Sequence, residues 1–276
     1  MKDVRMYIDC AMGAAGDMLG AALLELMPDR EAAVAALNDI GVPGIKYEAY
    51  DDEKKGARGT HMRVTYNGEE EVTEDVHGAE THAHEGPGNC EHTYEHVHEH
   101  VHNTLNDITR IVYLLSLPEA VKEDVIGVYE IIAEAESIAH DAPVSEVHFH
   151  EVGSMDAVAD AAAVCYLMNE IGPAAVAVSD IHVGTGFVKC AHGVLPVPAP
   201  ATANILAGLP TYSSDIEGEL CTPTGAALLK YFGTEFGVKQ EDMGSDDGVI
   251  RVGRGTGRKD FERPNCVTVY LTEKDL

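Results

Sequence analysis

Apolar and polar positions along the chain predict an alternation of strands and helices. Val4–Cys10 reads as a strand, and the glycine-bearing turn AMGAAGDM leads from it into an apolar helix reaching about Met27. Arg30–Ile40 repeats at helical spacing and stops at Gly41. Tyr47–Asp52 and His61–Tyr66 alternate as strands, a hairpin across the polar KKGARG segment. Leu105–Leu117 is apolar at helical spacing, and Pro118 opens a further helix to about His140. Met155–Ile171 predicts a buried Ala/Val-rich helix and Ala174–His182 a buried strand. Pro198–Leu209 predicts a helix, and Tyr212–Ile216 a strand. Gly218–Phe232 then gives a turn and a helix, and Val249–Leu271 two more strands. The expected class is mixed α/β with several βα units. Three parts are expected: an N-terminal α/β unit over 1–68, a flexible insertion over 69–103, and a main α/β body over 104–276.

Composition narrows the setting. The chain has 276 residues, 45% of them hydrophobic, with no Trp, so Ala, Val, Leu and Ile must fill the core. Forty-seven acidic against 19 basic residues give a formal net charge of −28. Such a chain repels nucleic acid and anionic membranes, so neither is an expected partner. It attracts cations, although a saline cytoplasm selects the same composition. Six cysteines without a CxxC pair suggest free thiols in a reducing compartment. No apolar run reaches the roughly 18 residues of a spanning helix, and the N-terminus carries no signal-like apolar region. A cytoplasmic protein is expected.

Candidate chemistry centres on VHFHEVGSMDAVAD, Val147–Asp160. His148 and His150 would share one side of a strand, and Asp156 and Asp160 one face of a helix. Gly153 and Ser154 suit the turn and N-cap between. With Glu151, these groups could make a metal or acid–base site; a capped helix after a strand with exposed histidines explains them equally well. Asp9 ends the first strand and Asp17 opens the first helix, where a carboxylate also simply suits the helix dipole.

Three other stretches carry chemistry. Between Glu69 and His102 lie His77, His82, His84, His92, His96, His98, His100 and His102. Imidazole tracts bind late first-row divalent ions, and this composition cannot build a core. The segment reads as a metal store, an inert linker being the plainer alternative. In VGTGFVKCAHGVLPVPAPAT, Cys190 and His192 suit a soft divalent ion or are incidental to a rigid loop. Near the C-terminus Arg251, Arg254, Arg258, Lys259 and Arg263 alternate with Gly253, Gly255 and Gly257. A basic glycine-rich loop in an acidic chain can cradle phosphate or pair with the chain's own carboxylates. Thr222 and Thr224 around Pro223 can hold an anion at a helix start or simply cap it.

DCAMGAAGDM, the His-rich insertion, HFHEVGSMDAVAD, VGTGFVKCAHGVLPVPAPAT, GELCTPTGAALL and GRGTGRKDFERPN occur in this order. Together they resemble the N-terminal domain of the LarC family, nickel insertion proteins that mature the lactate racemase cofactor. Ala15 stands where that family often has Ser. The resemblance implies a cyclometallase of the lyase class. It inserts Ni(II) into pyridinium-3,5-bisthiocarboxylic acid mononucleotide, making two nickel–sulfur bonds and one nickel–carbon bond. CTP with Mg2+ or Mn2+ is implied as cofactor, with a C-terminal domain or separate subunit associated with CTP. Lactate racemase or its maturation proteins are implied partners, and a homo-oligomer is expected. Set against this chemistry, His148, His150, Glu151, Cys190 and His192 are candidate nickel ligands. Asp9, Asp17, Asp156 and Asp160 are candidate bases for the ring C–H. Thr222, Thr224, Arg254, Arg258 and Lys259 are candidate substrate contacts. A nickel storage or delivery protein without catalysis and a metal-dependent hydrolase are the alternatives.

Overall fold

The computed structural model describes residues 4–70, 74–75, 103–149, 151–190, 193–243 and 248–273. Strand β1 (Val4–Asp9) leads into helices α1 (Gly16–Leu26) and α2 (Arg30–Asp39). The hairpin β2 (Ile45–Lys54) and β3 (Ala57–Tyr66) follows, then the short strand β4 (Glu74–Asp75). The helical stretch is α3 (Leu105–Leu114), α4 (Glu119–His140) and α5 (Met155–Ile171). Short strands come next: β5 (Ala175–Val178), β6 (Ile181–His182), β7 (Gly184–Thr185), β8 (Phe187–Cys190) and β9 (Gly193–Pro196). After α6 (Pro200–Ile205) come β10 (Thr211–Tyr212) and β11 (Gly218–Glu219). The chain then runs through α7 (Pro223–Phe232), β12 (Glu235–Phe236), β13 (Val249–Thr256) and β14 (Cys266–Glu273).

The fold is mixed α/β around one seven-stranded sheet of order β12-β5-β1-β14-β13-β3-β2. β1 runs parallel to β5 and antiparallel to β14, and β13 bridges antiparallel β14 to parallel β3. The first and last strands of the chain therefore lie near the middle of the sheet. The β2–β3 hairpin turns at Lys55 and Gly56, both at positive φ, as the tight right-twisting hairpin turn requires.

Helix α1 crosses β13, β3 and β14 and packs on α5, which in turn meets α4 and α7. The helix lies unusually near the sheet. A Cβ at Gly253 would overlap the Ala22 carbonyl oxygen, and one at Gly255 the Met18 carbonyl oxygen. The alternating glycines of VGRGTG are thus a seat for α1 on strand β13 rather than a phosphate loop. Because side chains alternate along a strand, Arg254 is carried on the face away from α1.

The central motif also departs from expectation. No strand forms there among the described residues. Val144–Glu146 and Glu151–Gly153 are single 3-10 turns, and Phe149 makes one bridge to Asn103. Burial explains this. Phe149 is 1% exposed, packs on the Tyr129 ring and crowds Gly153, so the chain wraps around an aromatic anchor instead of extending. The expected strand over Ala174–His182 breaks at Ser179, whose hydroxyl accepts the Cys10 N–H and donates to the Asp180 carbonyl.

Candidate active site at three helix N-termini

The N-termini of α1, α5 and α7 converge on one cavity of about 240 Å3, with Met62 and Val64 of β3 along one wall and the segment after β13 along another. Each helix starts differently. Thr222 caps α7 by accepting the Gly225 N–H at 3.2 Å, so capping accounts for its hydroxyl. Ala15 cannot cap α1 with a side chain. Ser154 makes no side-chain cap on α5; its hydroxyl donates 2.6 Å to the Glu151 carbonyl. The start of α5 therefore brings its amides to the cavity without a side-chain cap, a setting that favours anions.

Asp17, Asp156 and Asp160 all line this cavity, as do Glu151, Thr222, Thr224, Arg258 and Lys259. Asp17 sits in the first turn of α1, where its own Oδ1 accepts the Met18 N–H at 2.8 Å. Burial raises its pKa; His61, that N–H and Arg258 act against the rise, and Glu70 adds to it. Asp160 is pushed well above the carboxylate range, first by burial and then by the nearby charges of Asp17 and Asp156. The Asp17 N–H is donated to Asp160. The Asp160 Oδ1 is buried with no hydrogen-bond partner among the described residues.

The cations stand on the segment after β13. Arg258 pairs with Glu70 at 3.4 Å, and Glu70 also meets Arg63 at 3.2 Å. This segment is fixed by its backbone: Lys54 Nζ donates 3.1 Å to the Arg258 carbonyl and Asn265 Nδ2 donates 2.9 Å to that of Lys259.

Other candidates lie elsewhere. Arg254 does not line the cavity; its own N–H bonds Glu25 from the strand. Asp9 stays at the end of β1, where its Oδ1 accepts the Ala11 N–H at 3.0 Å. His148 is exposed and absent from the cavity wall, and Cys190 ends β8. His150, His192 and the eight histidines from His77 to His102 fall outside the described residues. Among the described residues no group of three or more His, Cys, Asp or Glu side chains is arranged to hold a metal ion.

Glu70 and Asn265 line the cavity without having been expected there, and His61, which does not line it, acts on Asp17. His61 is 4% exposed, with Nδ1 3.0 Å from the Thr256 carbonyl. A carbonyl only accepts, so the His61 Nδ1 donates to it. Its partner is 195 residues away, and no local pattern in β3 points to it.

The nickel insertion protein family matches residues 6–276. A Desulfitobacterium hafniense protein named pyridinium-3,5-bisthiocarboxylic acid mononucleotide nickel insertion protein is 37% identical over 97% of this chain and 58% of its own length. A Clostridium kluyveri protein of the same name is 36% identical over 98% of this chain and 62% of its own. The chain thus spans about three fifths of the length of these curated relatives. No solved structure matches it. Matched over nearly its whole length, the chain belongs to the nickel insertion protein family.

Proposed function

We propose that the chain carries the substrate cavity of a nickel cyclometallase acting on pyridinium-3,5-bisthiocarboxylic acid mononucleotide. The observation that carries this reading is the meeting of Asp17 and Asp160 with Arg258 and Lys259 in one cavity. The reaction needs both kinds of group. Cations and uncapped amides at the start of α5 suit the substrate's phosphate. A carboxylate suits the ring C–H, whose proton must leave as nickel arrives. Asp17 is the assigned base, because burial brings it nearer a working range while His61 and Arg258 favour its ionised form.

The step balances without redox change. The ring C–H breaks, its electron pair forms the nickel–carbon bond, and Asp17 takes the proton. The two thiocarboxylate sulfurs supply the other bonds, and the metal stays Ni(II). No three-ligand group stands among the described residues; the reaction itself gives the ion three bonds, to the substrate's two sulfurs and its ring carbon. Glu151 on the cavity wall is the remaining described candidate for a transient ligand. The described residues likewise form no site for the Mg2+ or Mn2+ that would accompany CTP. We assign that nucleotide to the part of the longer relatives outside the match. The histidines from His77 to His102 are assigned to nickel collection.

The test supplies the chain with nickel, the mononucleotide, CTP with Mg2+ and the uncovered portion of the Desulfitobacterium hafniense relative. At equal ion charge the product mass should rise by one nickel less two hydrogens, one from the ring carbon and one balancing the metal's second charge. Nickel bound by a chain that shows no affinity for the mononucleotide points instead to storage. A changed nucleotide without bound nickel points to hydrolysis.

A further inference from the structure

Resting on this reading of the cavity, we infer that Asn265 is a specificity residue, its Oδ1 accepting a hydrogen bond from a sugar hydroxyl of the bound mononucleotide. The way its amide is held carries the inference. Asn265 lines the cavity and is 5% exposed. Its Nδ2 donates 2.9 Å to the Lys259 carbonyl. Turning the amide over would set its oxygen against that carbonyl oxygen, so this bond fixes which end is which. Among the described residues Oδ1 accepts no hydrogen bond, yet it is not sealed from solvent. On a residue so nearly buried, the open oxygen gives onto the cavity that the residue lines. A side chain held at one end and open at the other is completed by a donor that a ligand brings.

The amide is held before any ligand arrives. The Gly257 N–H donates 3.0 Å to the Asn265 carbonyl. Together with the Nδ2 bond, this closes the segment carrying Arg258 and Lys259 onto Asn265. A Cβ at Gly257 would come within 2.6 Å of Nδ2 and 3.0 Å of Cγ, so the amide lies close against the glycine. An acceptor fixed in this way loses little freedom on binding.

The ligand's chemistry matches. The phosphate and two thiocarboxylates of the proposed substrate are anionic acceptors, and its ring nitrogen carries no proton. The sugar hydroxyls are the donors it offers. The sugar is also joined directly to the phosphate, and Asn265 is hydrogen-bonded to Lys259, one of the two cations proposed to meet that phosphate. Asp17, Asp156, Glu70 and Glu151 also line the cavity, but a carboxylate beside the phosphate would repel it. Asn265 accepts without charge.

Two probes test the inference: the mononucleotide, and the same molecule without its sugar hydroxyls. Titrated into the whole chain, wild type should bind the hydroxylated form about fivefold or more tightly, the effect of one neutral hydrogen bond. Asn265→Ala should bind the two forms within about twofold of each other. Releasing the Lys259 carbonyl weakens both forms alike, so a merely structural role would lower affinity without moving this ratio. A ratio that Asn265→Ala preserves overturns the inference, as does a wild type that binds both forms equally. A wild type that binds neither form overturns the proposed function, and this inference with it. If Asn265→Ala fails to fold, Asn265→Leu, which keeps the side-chain volume but offers no acceptor, is read by the same ratio.

Discussion

Gly16 and Asp160 are packed so closely that a methyl group on Gly16 would lie 2.6 Å from the Asp160 Cβ. This contact sets how near α1 and α5 come at the cavity, and so where Asp17 stands relative to Asp160. Gly16→Ala should therefore lower stability by about 1–3 kcal/mol, the usual cost of overpacking. Removing the other partner should relieve the clash. In a double-mutant cycle, Gly16→Ala in an Asp160→Gly background, which removes the Cβ as well, should cost measurably less than in wild type. Urea unfolding of the four proteins checks this; additive costs would show that the two residues do not press on one another.

Asp160 also makes stability depend on pH. Its pKa in the folded chain is raised, so the folded state holds a proton that the unfolded chain releases above about pH 4. The contribution of this group is full below that pH and is lost as pH rises through the folded value. Asp160→Asn removes the effect. Wild type should thus weaken relative to Asp160→Asn as pH rises from about 4, by up to about tenfold in the folding constant per pH unit from this one group. Parallel unfolding curves between acidic and neutral pH measure the difference. A gap that stays constant or closes with rising pH contradicts the assignment.

Much of the fold was legible because its signals are local. The Ala/Val run of Met155–Ile171 is the helix found, and Pro118 and Pro223 mark the starts of α4 and α7. Asp156 and Asp160, four apart on a helix, do face one cavity. What was misread depends on distant partners. Phe149 keeps its segment from extending because Tyr129, twenty positions earlier, anchors it. Gly253 and Gly255 look like a phosphate loop until α1, more than 200 positions earlier, is laid on them. Arg254 went with that misreading, and His61 was missed for the same reason.

The seat of α1 can be tested directly. A Cβ at Gly255 would meet backbone atoms of Met18 and Ala22 rather than the end of a flexible side chain. Backbone cannot step aside without lifting the helix from the sheet. Gly255→Ala should cost more than about 3 kcal/mol or prevent folding, at the severe end of single substitutions. Among the described residues Gly248 has only the Glu273 carbonyl near, at 3.6 Å, and Gly248→Ala should cost less than about 1 kcal/mol. Thermal unfolding of both variants checks the contrast. A mild Gly255→Ala would mean that the glycines were not needed for the helix to approach.

The basic residues divide by the face they occupy. Arg258 and Lys259 line the cavity, whereas Arg254 is carried away from it by the alternation of β13. Their proximity in sequence gives no hint of this split; the glycines between them do, once α1 is in place. Arg258 has Glu70 as an ion-pair partner, so a substrate phosphate must compete with or join that pair. A charge-assisted contact of this kind contributes about 1.5–3 kcal/mol, or about 10- to 150-fold in affinity. Arg258→Ala and Lys259→Ala should each weaken mononucleotide binding within that range, and Arg254→Ala should leave it near wild type. Loss should be far smaller with the dephosphorylated substrate. Added salt should weaken wild-type binding more than that of either cavity variant, because screening acts on the charges they lack. Titrations of both substrate forms at two salt concentrations measure all of this. Equal losses for the two forms, or a loss at Arg254 matching that at Arg258, would show that these cations do not read the phosphate.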